Sequence, residues 1–208
     1  LKPAEIDLFK LNMIRVSKSI GYIEGAGDVI PDLLRQIGYE VTLLDKDDVT
    51  VDNLMQFDAV ILGVRAFNTV DWLAYKNQEL FDYSFKGGTV IVQYNTNRNL
   101  VTQEIAPYPL LLSRDRVSVE TAPVRIMDPT HISMNFPNKI SMRDFEGWVQ
   151  ERGLYFSSEW DEKFTPILSS NDPGESPKKG GLLVASHGEG YYIYSGYSWF
   201  RELPAGVE

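Results

Sequence analysis

Polar residues follow three of the predicted strands, at the points where each apolar run ends. Glu24 and Asp28 flank a Gly-Ala-Gly turn after the first run, Arg65 and Asn68 follow the third, and Asn95 follows the fourth. In open α/β sheets, ligands bind beyond the carboxyl ends of the strands. We therefore expect Glu24, Arg65 and Asn95 to converge on one cleft, with Asp28 and Asn68 as further binding candidates.

Each of these residues also has a structural interpretation. The glycines of the turn could cradle an anion at a helix start, but the full GxGxxG spacing is missing and Glu24 and Asp28 would repel phosphate. A plain turn in which Asp28 caps the following helix is the simpler explanation. Arg65 could pair with Glu24 or cap a helix, and Asn95 could form a turn.

The densest polar and aromatic stretch of the chain is residues 143–156. Its carboxylates, arginine and aromatic rings suit sugar recognition, because rings stack on pyranose faces and carboxylates accept hydroxyl hydrogen bonds. The alternative is a strand with alternating inward and outward side chains. The binding candidates from this stretch are Asp144, Glu146, Trp148, Glu151 and Arg152.

A similar combination, Trp199 and Arg201, recurs near the end of the chain, and Arg114 and His187 complete the set of binding candidates. His187 directly precedes a Gly-Glu-Gly turn, where a surface role is the simpler interpretation. The chain has two histidines, and neither has a second ligand at metal-site spacing. We therefore predict neither a metal nor a cofactor.

The composition excludes several classes of function. The 208 residues contain no cysteine, which rules out a thiolate nucleophile. No GxSxG nucleophile elbow is present, and Thr96 is a weak nucleophile candidate without an assigned base. The net charge of −9 makes nucleic acid a poor partner. No apolar run reaches the length of a membrane span.

Along the chain, apolar runs alternate with helical patterns. Strands are predicted at 19–24, 39–44, 58–63 and 89–94, with helices at 29–37, 51–57 and 71–85 between them, which indicates a parallel sheet with right-handed crossovers. Strands at 164–169, 181–186 and 191–195 follow, the last two joined by a tight hairpin. We expect a linker or edge segment at 1–18 and a single domain at 19–208 with an irregular insertion at about 96–160.

Several segments together resemble a known family. They are IGYIEGAGD, FDAVILGVRAFN, GGTVIVQYNT, APYPLLLSRDRVSVE, FEGWVQERGLYF, LSSNDPGE and GYSWFRELPAG. As a set, they resemble the C-terminal amidotransferase-like domain of large LmbE-like (PIG-L family) deacetylases of Bacteroidetes-type bacteria. The resemblance implies a flavodoxin-like three-layer sandwich of the class I glutamine amidotransferase type, with a mostly parallel sheet and antiparallel edge strands.

A more distant resemblance is to ThuA-like domains, whose DPxHP, GLP and DELY elements precede a hairpin. The matching residues are Asp128-Pro129-Thr130-His131, Phe136-Pro137, Glu151-Arg152-Gly153-Leu154-Tyr155 and Gly188-Glu189-Gly190-Tyr191. Ile132 replaces the proline of that pattern, and Arg152-Gly153 is inserted between the acid and the Leu-Tyr pair.

The family's chemistry does not carry over with its fold. The nucleophile elbow of true amidotransferases matches Gln93-Tyr94-Asn95-Thr96 here, without cysteine, and the PxDD and HxxH zinc elements of the deacetylases are absent. We therefore expect a non-catalytic accessory domain that binds carbohydrate or mediates assembly, with an upstream deacetylase domain of the same polypeptide as its partner. The alternatives are a ThuA-like sugar-modifying enzyme or hydrolase acting through carboxylates, and a homo-oligomerisation module. The resemblance also suggests a periplasmic or secreted location.

Overall fold

The structure is a computed structural model that describes residues 13–16 and 18–207, so the predicted linker lies largely outside the described residues. The strands are β1 (Ser19–Ile23), β2 (Glu40–Leu43), β3 (Ala59–Leu62), β4 (Thr89–Val92), β5 (Leu110–Val117), β6 (Val124–Ile126), β7 (Gly153–Trp160), β8 (Phe164–Pro166), β9 (Leu168–Ser170), β10 (Leu182–His187) and β11 (Gly190–Ser195). The α-helices are α1 (Ile30–Gln36), α2 (Val51–Leu54), α3 (Ala66–Thr69), α4 (Leu73–Phe85) and α5 (Trp199–Ala205).

Seven strands form the central sheet, in the order β2-β1-β3-β4-β11-β10-β8. β2, β1, β3, β4 and β11 are parallel, whereas β10 pairs antiparallel with both β11 and β8. The predicted flavodoxin-like α/β class is therefore confirmed, including its antiparallel edge. Within the described residues, none of the helices has the length and apolar content that crossing a bilayer requires.

The sheet is covered differently on its two faces. Val60, Leu62, Val90 and Val92 alternate along β3 and β4 and pack in the core that α4 covers. The opposite face carries the intervening residues of these strands and is flanked by α1, α5 and the segment between β4 and β8. Strands of a parallel sheet that is buried on both faces form continuous apolar runs, which explains why β3 and β4 are evident in the sequence.

The turns that define the helix and hairpin ends also follow the sequence. Gly38 comes after the C-cap residue of α1 with a φ of 93°, a conformation that favours glycine and ends the helix there. Gly188 and Glu189 connect β10 to β11, which confirms the predicted hairpin.

The segment between β4 and β8 contains a second, smaller core. β5 and β7 pair antiparallel with interrupted register, β6 pairs with β9, and two 3-10 helices span Ile132–Met134 and Met142–Phe145. Residues 143–156 are therefore not one strand: a 3-10 helix and a loop precede β7, which starts at Gly153. The aromatic side chains of this stretch fill the second core instead of alternating across a sheet.

Candidate functional site

The loops that follow β1, β3 and β4 meet at the carboxyl edge of the sheet. The amide of Ala26 donates to the carbonyl of Val64 (2.7 Å), and the amide of Arg65 donates to the carbonyl of Tyr94 (2.8 Å). A Cβ at Gly25 would lie 2.0 Å from the Val64 carbonyl oxygen, so only glycine permits this approach. The three loops are thus fixed to one another by their backbones.

Arg65 forms the sharp turn between β3 and α3. Its φ of 60° and ψ of 25° place it in the left-handed region, which non-glycine residues seldom adopt. Its half-buried side chain has an Nε atom that is buried and has no hydrogen-bond partner among the described residues. The left-handed elbow of this sheet therefore follows β3 and presents a guanidinium, whereas the family resemblance placed the elbow after β4.

Three aromatic rings stack beside this elbow. The ring centroids of Tyr94 and Tyr155 are 5.8 Å apart at 26°, and those of Tyr94 and Phe200 are 5.6 Å apart at 17°. All three side chains are half-buried, so each is only partly covered by protein.

Charged groups surround the stacked rings. Arg201 Nε donates to Glu151 Oε1 at 2.6 Å, and the Ser198 hydroxyl donates to the same oxygen at 3.3 Å. The Arg201 guanidinium lies 5.0 Å from the centre of the Phe200 ring. Burial raises the pKa of Tyr94, while the nearby positive charges of Arg65 and Arg201 oppose that rise. We define Arg65, Tyr94, Glu151, Tyr155, Phe200 and Arg201 as the carboxyl-edge site.

A cleft of about 560 Å³ adjoins this site. Its walls are the loop at residues 26–29 with the start of α1, Val64, residues 149–150, and the side of α5 that carries Phe200 and Arg201. Its volume lies within the range of small-molecule pockets, and its position is that of ligand sites in open α/β sheets.

Backbone strain is concentrated around the same edge. Arg65, Gln150 and Tyr155 are three of the four non-glycine residues with positive φ in the described chain, at 60°, 69° and 52°. Such conformations cost about 1–3 kcal/mol each and persist only where surrounding structure imposes them. Their clustering supports a functional interpretation of this edge.

The structure thus brings Arg65, Glu151 and Arg201 together, with Asp28 in the wall of the adjoining cleft. Asp28 precedes the N-cap residue of α1. Its carboxylate accepts hydrogen bonds from the Tyr22 hydroxyl (2.5 Å) and the Ile30 amide (3.2 Å), so it supports the turn as well.

The other candidates from the strand ends contribute differently. Asn95 is fully buried: its Oδ1 accepts from the Phe67 amide (2.9 Å) and its Nδ2 donates to the Gln93 carbonyl. Asn68 binds the backbone of Thr96 with both ends of its amide. Glu24 is exposed at the end of β1. The expected convergence therefore holds for the backbones of the three loops, but Asn95 and Asn68 use their side chains to hold the loops.

Most candidates from residues 143–156 lie in the second core. Asp144 accepts the amide and hydroxyl of Ser141 in a capping box, and the Trp148 indole donates to the Asp144 carbonyl. Arg152 donates to the carbonyls of Ala122 (2.9 Å) and Phe145 (2.5 Å), and its guanidinium lies 5.3 Å from the Trp148 ring. Burial lowers the pKa of Arg152.

The remaining four candidates are spread over the molecule. Trp199 packs on Trp148 and donates to the Ser195 hydroxyl at 2.6 Å. Arg114 and Glu146 are exposed, on β5 and in the loop after the second 3-10 helix. His187 lies at the amino edge of the parallel strands, opposite to the carboxyl-edge site, because it precedes the start of β11.

Neither histidine is arranged to activate a serine nucleophile. His187 Nδ1 lies 2.8 Å from the Ser84 hydroxyl, but Ser84 is fully buried and donates its proton to the Phe81 carbonyl, so His187 donates to it. Burial lowers the pKa of His187. His131 Nδ1 accepts from the Ser133 amide and caps a short 3-10 turn. Across residues 13–16 and 18–207, no group of three or more His, Asp or Glu side chains could hold a metal ion.

Sequence reasoning did not select Tyr94, Tyr155 or Phe200, the rings at the centre of the site. Tyr94 was visible at the end of a buried strand, directly before Asn95. Tyr155 and Phe200 belong to distant parts of the chain, and no local pattern indicates that they stack on it.

The fold and the loop arrangement define a class I glutamine amidotransferase-like α/β protein. No protein-family model matches the chain, and no curated protein matches it. Solved structures do match in fold. A GMP synthase component from Thermoplasma acidophilum has a TM-score of 0.53 and 11% identity, covering 93% of this chain and 94% of its own.

A ThuA-like protein from Bacteroides uniformis has a TM-score of 0.51 and 12% identity, covering 96% of this chain and 93% of its own. A cold-adapted β-galactosidase from Rahnella sp. R3 also has a TM-score of 0.51 and 12% identity; the match covers 93% of this chain and 31% of the enzyme. The chain therefore shares the amidotransferase-like and ThuA-like fold, and at these identities the likeness concerns the fold alone.

Proposed function

We propose that this chain is a non-catalytic, carbohydrate-binding accessory domain whose ligand occupies the carboxyl-edge site and the adjoining cleft. The observation that carries the proposal is the Tyr155–Tyr94–Phe200 stack flanked by Arg65 and the Arg201–Glu151 ion pair. Partly covered aromatic rings offer faces to a pyranose, and the charged groups around them offer hydrogen bonds to its hydroxyls.

Binding fits this geometry better than catalysis. The chain has no thiol, and the left-handed elbow carries Arg65, which cannot act as a nucleophile at neutral pH. Glu151 is held by Arg201 and Ser198, and Asp144 by its capping box, so neither carboxylate is free to move a proton. The ThuA-like enzyme alternative therefore lacks an assembled acid–base pair at this edge.

The accessory role has support from the fold comparison. The matched β-galactosidase is about three times the length of the aligned portion, so this fold occurs as one part of a longer carbohydrate-active enzyme. For this chain, we propose an LmbE-like N-acetyl-sugar deacetylase domain of the same polypeptide as the partner. Such a domain would gain affinity for its substrate by being tethered to a sugar-binding site.

The proposal is tested by titrating the protein with N-acetylglucosamine and its oligomers, followed by a glycan array, with affinity measured by calorimetry. Arg201→Met removes the guanidinium and keeps much of the side chain's apolar body, and we expect at least a tenfold loss of sugar affinity, roughly the contribution of one charged hydrogen bond. The matched control is Tyr75→Ala, because Tyr75 is an exposed ring on α4, away from the site.

Two results would contradict the proposal. The first is that no sugar on the array binds the intact protein. The second is that Arg201→Met and Tyr75→Ala bind sugars as tightly as the unmodified chain. A hydrolysis screen that finds turnover abolished by Glu151→Gln would instead favour the enzyme, and a stable dimer without sugar affinity would favour the oligomerisation module.

A further inference from the structure

A second ligand-sized depression lies on the sheet face opposite to α4. Ile61, Ile91 and Ile193 occupy equivalent positions on the adjacent strands β3, β4 and β11 and are only half-buried. With the elements around them they form a groove of about 470 Å³, which we call the sheet-face groove. Its other apolar lining includes Leu34 of α1 and Leu203 of α5.

Charged groups in the lining of this groove are acidic. They are Asp144 and Glu202, and no basic side chain lines the groove within the described residues. Asp144 Oδ2 already accepts the Ser141 amide (2.7 Å) and hydroxyl (2.9 Å). The polar side chains of Gln93 and Ser195 also have partners: Gln93 Nε2 donates to the Tyr22 hydroxyl, and Ser195 Oγ accepts from the Trp199 indole.

Glu202 differs from these groups. Its side chain is 5% exposed, and Oε2 accepts from the Val149 amide at 3.0 Å. Oε1 is buried and has no hydrogen-bond partner among the described residues. A buried carboxylate oxygen without a donor is unfavourable, and a ligand that supplies a donor relieves that cost.

We propose that the sheet-face groove binds a small, mainly apolar molecule that carries one hydroxyl or amino group, which donates a hydrogen bond to Glu202 Oε1. The apolar walls would take the body of the ligand, and the carboxylate would orient it. The groove is separate from the cleft of the carboxyl-edge site. Glu202 and Leu203 face the groove, Arg201 and Pro204 face the cleft, and Phe200 borders both.

The test uses 2-naphthol and 2-methoxynaphthalene, which share the ring system, but only naphthol has a donor. Binding to the full chain is followed by NMR of isotope-labelled isoleucine methyl groups. We expect naphthol to shift Ile61, Ile91 and Ile193, and to leave Ile105 unshifted, since Ile105 belongs to the core on the other face. Naphthol should bind about tenfold more tightly than the methoxy compound, the factor that one hydrogen bond to a charged acceptor supplies.

Glu202→Gln keeps an acceptor for the Val149 amide and replaces the second oxygen by an NH2 donor. We expect it to remove the advantage of naphthol and to leave the affinity of the methoxy compound unchanged. Glu189→Gln, at the exposed hairpin, is the matched control. Leu203→Trp narrows the groove and should abolish binding of both compounds, which provides a second variant if Glu202→Gln does not fold.

The inference is overturned if neither compound shifts the three isoleucines, or if both bind equally to the unmodified protein. It is also overturned if binding appears only after residues 1–12 are removed, because a segment of the chain itself would then be the occupant. Loss of the shifts on dilution, together with a dimer mass at high concentration, would identify a second copy as the occupant instead.

Discussion

Replacing Arg152 by leucine should destabilise the second core without affecting the sheet directly. The Arg152 side chain is 6% exposed and lies between two parts of that core. Its Nε reaches the Ala122 carbonyl and its Nη1 the Phe145 carbonyl, while the guanidinium packs on Trp148. Leucine would fill part of the volume and leave both carbonyls without their donors.

The magnitude follows from these contacts. Each buried carbonyl left without a donor costs about 1–3 kcal/mol. The substitution also removes the desolvation cost of the guanidinium, which the lowered pKa of Arg152 reflects and which offsets part of the loss. The expected net destabilisation is about 3 kcal/mol, which corresponds to a decrease in Tm of roughly 6–12 °C for a chain of this size. Arg152→Lys, which can meet only one carbonyl well, should lose about half as much.

The measurement is thermal and urea unfolding followed by circular dichroism. The control is Arg114→Leu, since Arg114 is exposed on β5 and makes no ion pair among the described residues; its effect should stay within about 0.5 kcal/mol. A stability of Arg152→Leu equal to that of the unmodified protein would refute the reasoning, because the two hydrogen bonds would then contribute nothing net. A lysine variant as unstable as the leucine variant would show that the planar fork is essential.

Three further predictions concern the site loops and the sheet. Gly25→Ala places a Cβ 2.0 Å from the Val64 carbonyl oxygen and should separate the β1 and β3 loops, which changes in the amide NMR shifts of Ala26 and Arg65 would report; unchanged shifts would contradict it. Asn95→Leu leaves the Phe67 amide without its acceptor and should cost about 2–4 kcal/mol in urea unfolding, whereas a cost under about 1 kcal/mol would count against the hydrogen bond. The amides of Lys18 and Ser19 lower the pKa of Asp58. Its stabilisation is therefore present above the unfolded pKa of about 4 and lost as pH falls through the folded pKa, so Asp58→Asn should flatten the acid limb of the stability curve, and an unaltered limb would rule this out.

The sheet could be predicted from the sequence because its signals are local. β3 and β4 are short apolar runs followed by Gly63 and by a polar segment, and Gly38 ends α1 as a C-cap glycine does. The second core was not predictable in this way. Residues 143–152 are ordered by contacts with Ala122 and with α5, which lie about 20 to 60 residues away and leave no period in the sequence.

The candidate site was predicted in position better than in composition. The rule that ligands bind beyond the strand ends located Arg65 correctly, but the same rule also selected Asn95 and Asn68. Whether a polar residue at a strand end faces a ligand or holds a loop depends on which backbone groups lack partners. Asn95 supplies the acceptor for the Phe67 amide, and that need arises only once α3 is folded against β4.

The exchange of a nucleophile for an arginine at the elbow bears on what this fold can do here. A left-handed residue at a strand-to-helix turn projects its side chain above the sheet edge, where a nucleophile would meet a substrate. At that position Arg65 supplies up to five donors and no electron pair for attack. Its Nε is buried without a partner in the described chain, next to rings that are only partly covered. A strained backbone that presents an unsatisfied donor is stable only if something else supplies the acceptor, and the sugar titration and the Arg201→Met variant ask whether that acceptor is a bound ligand.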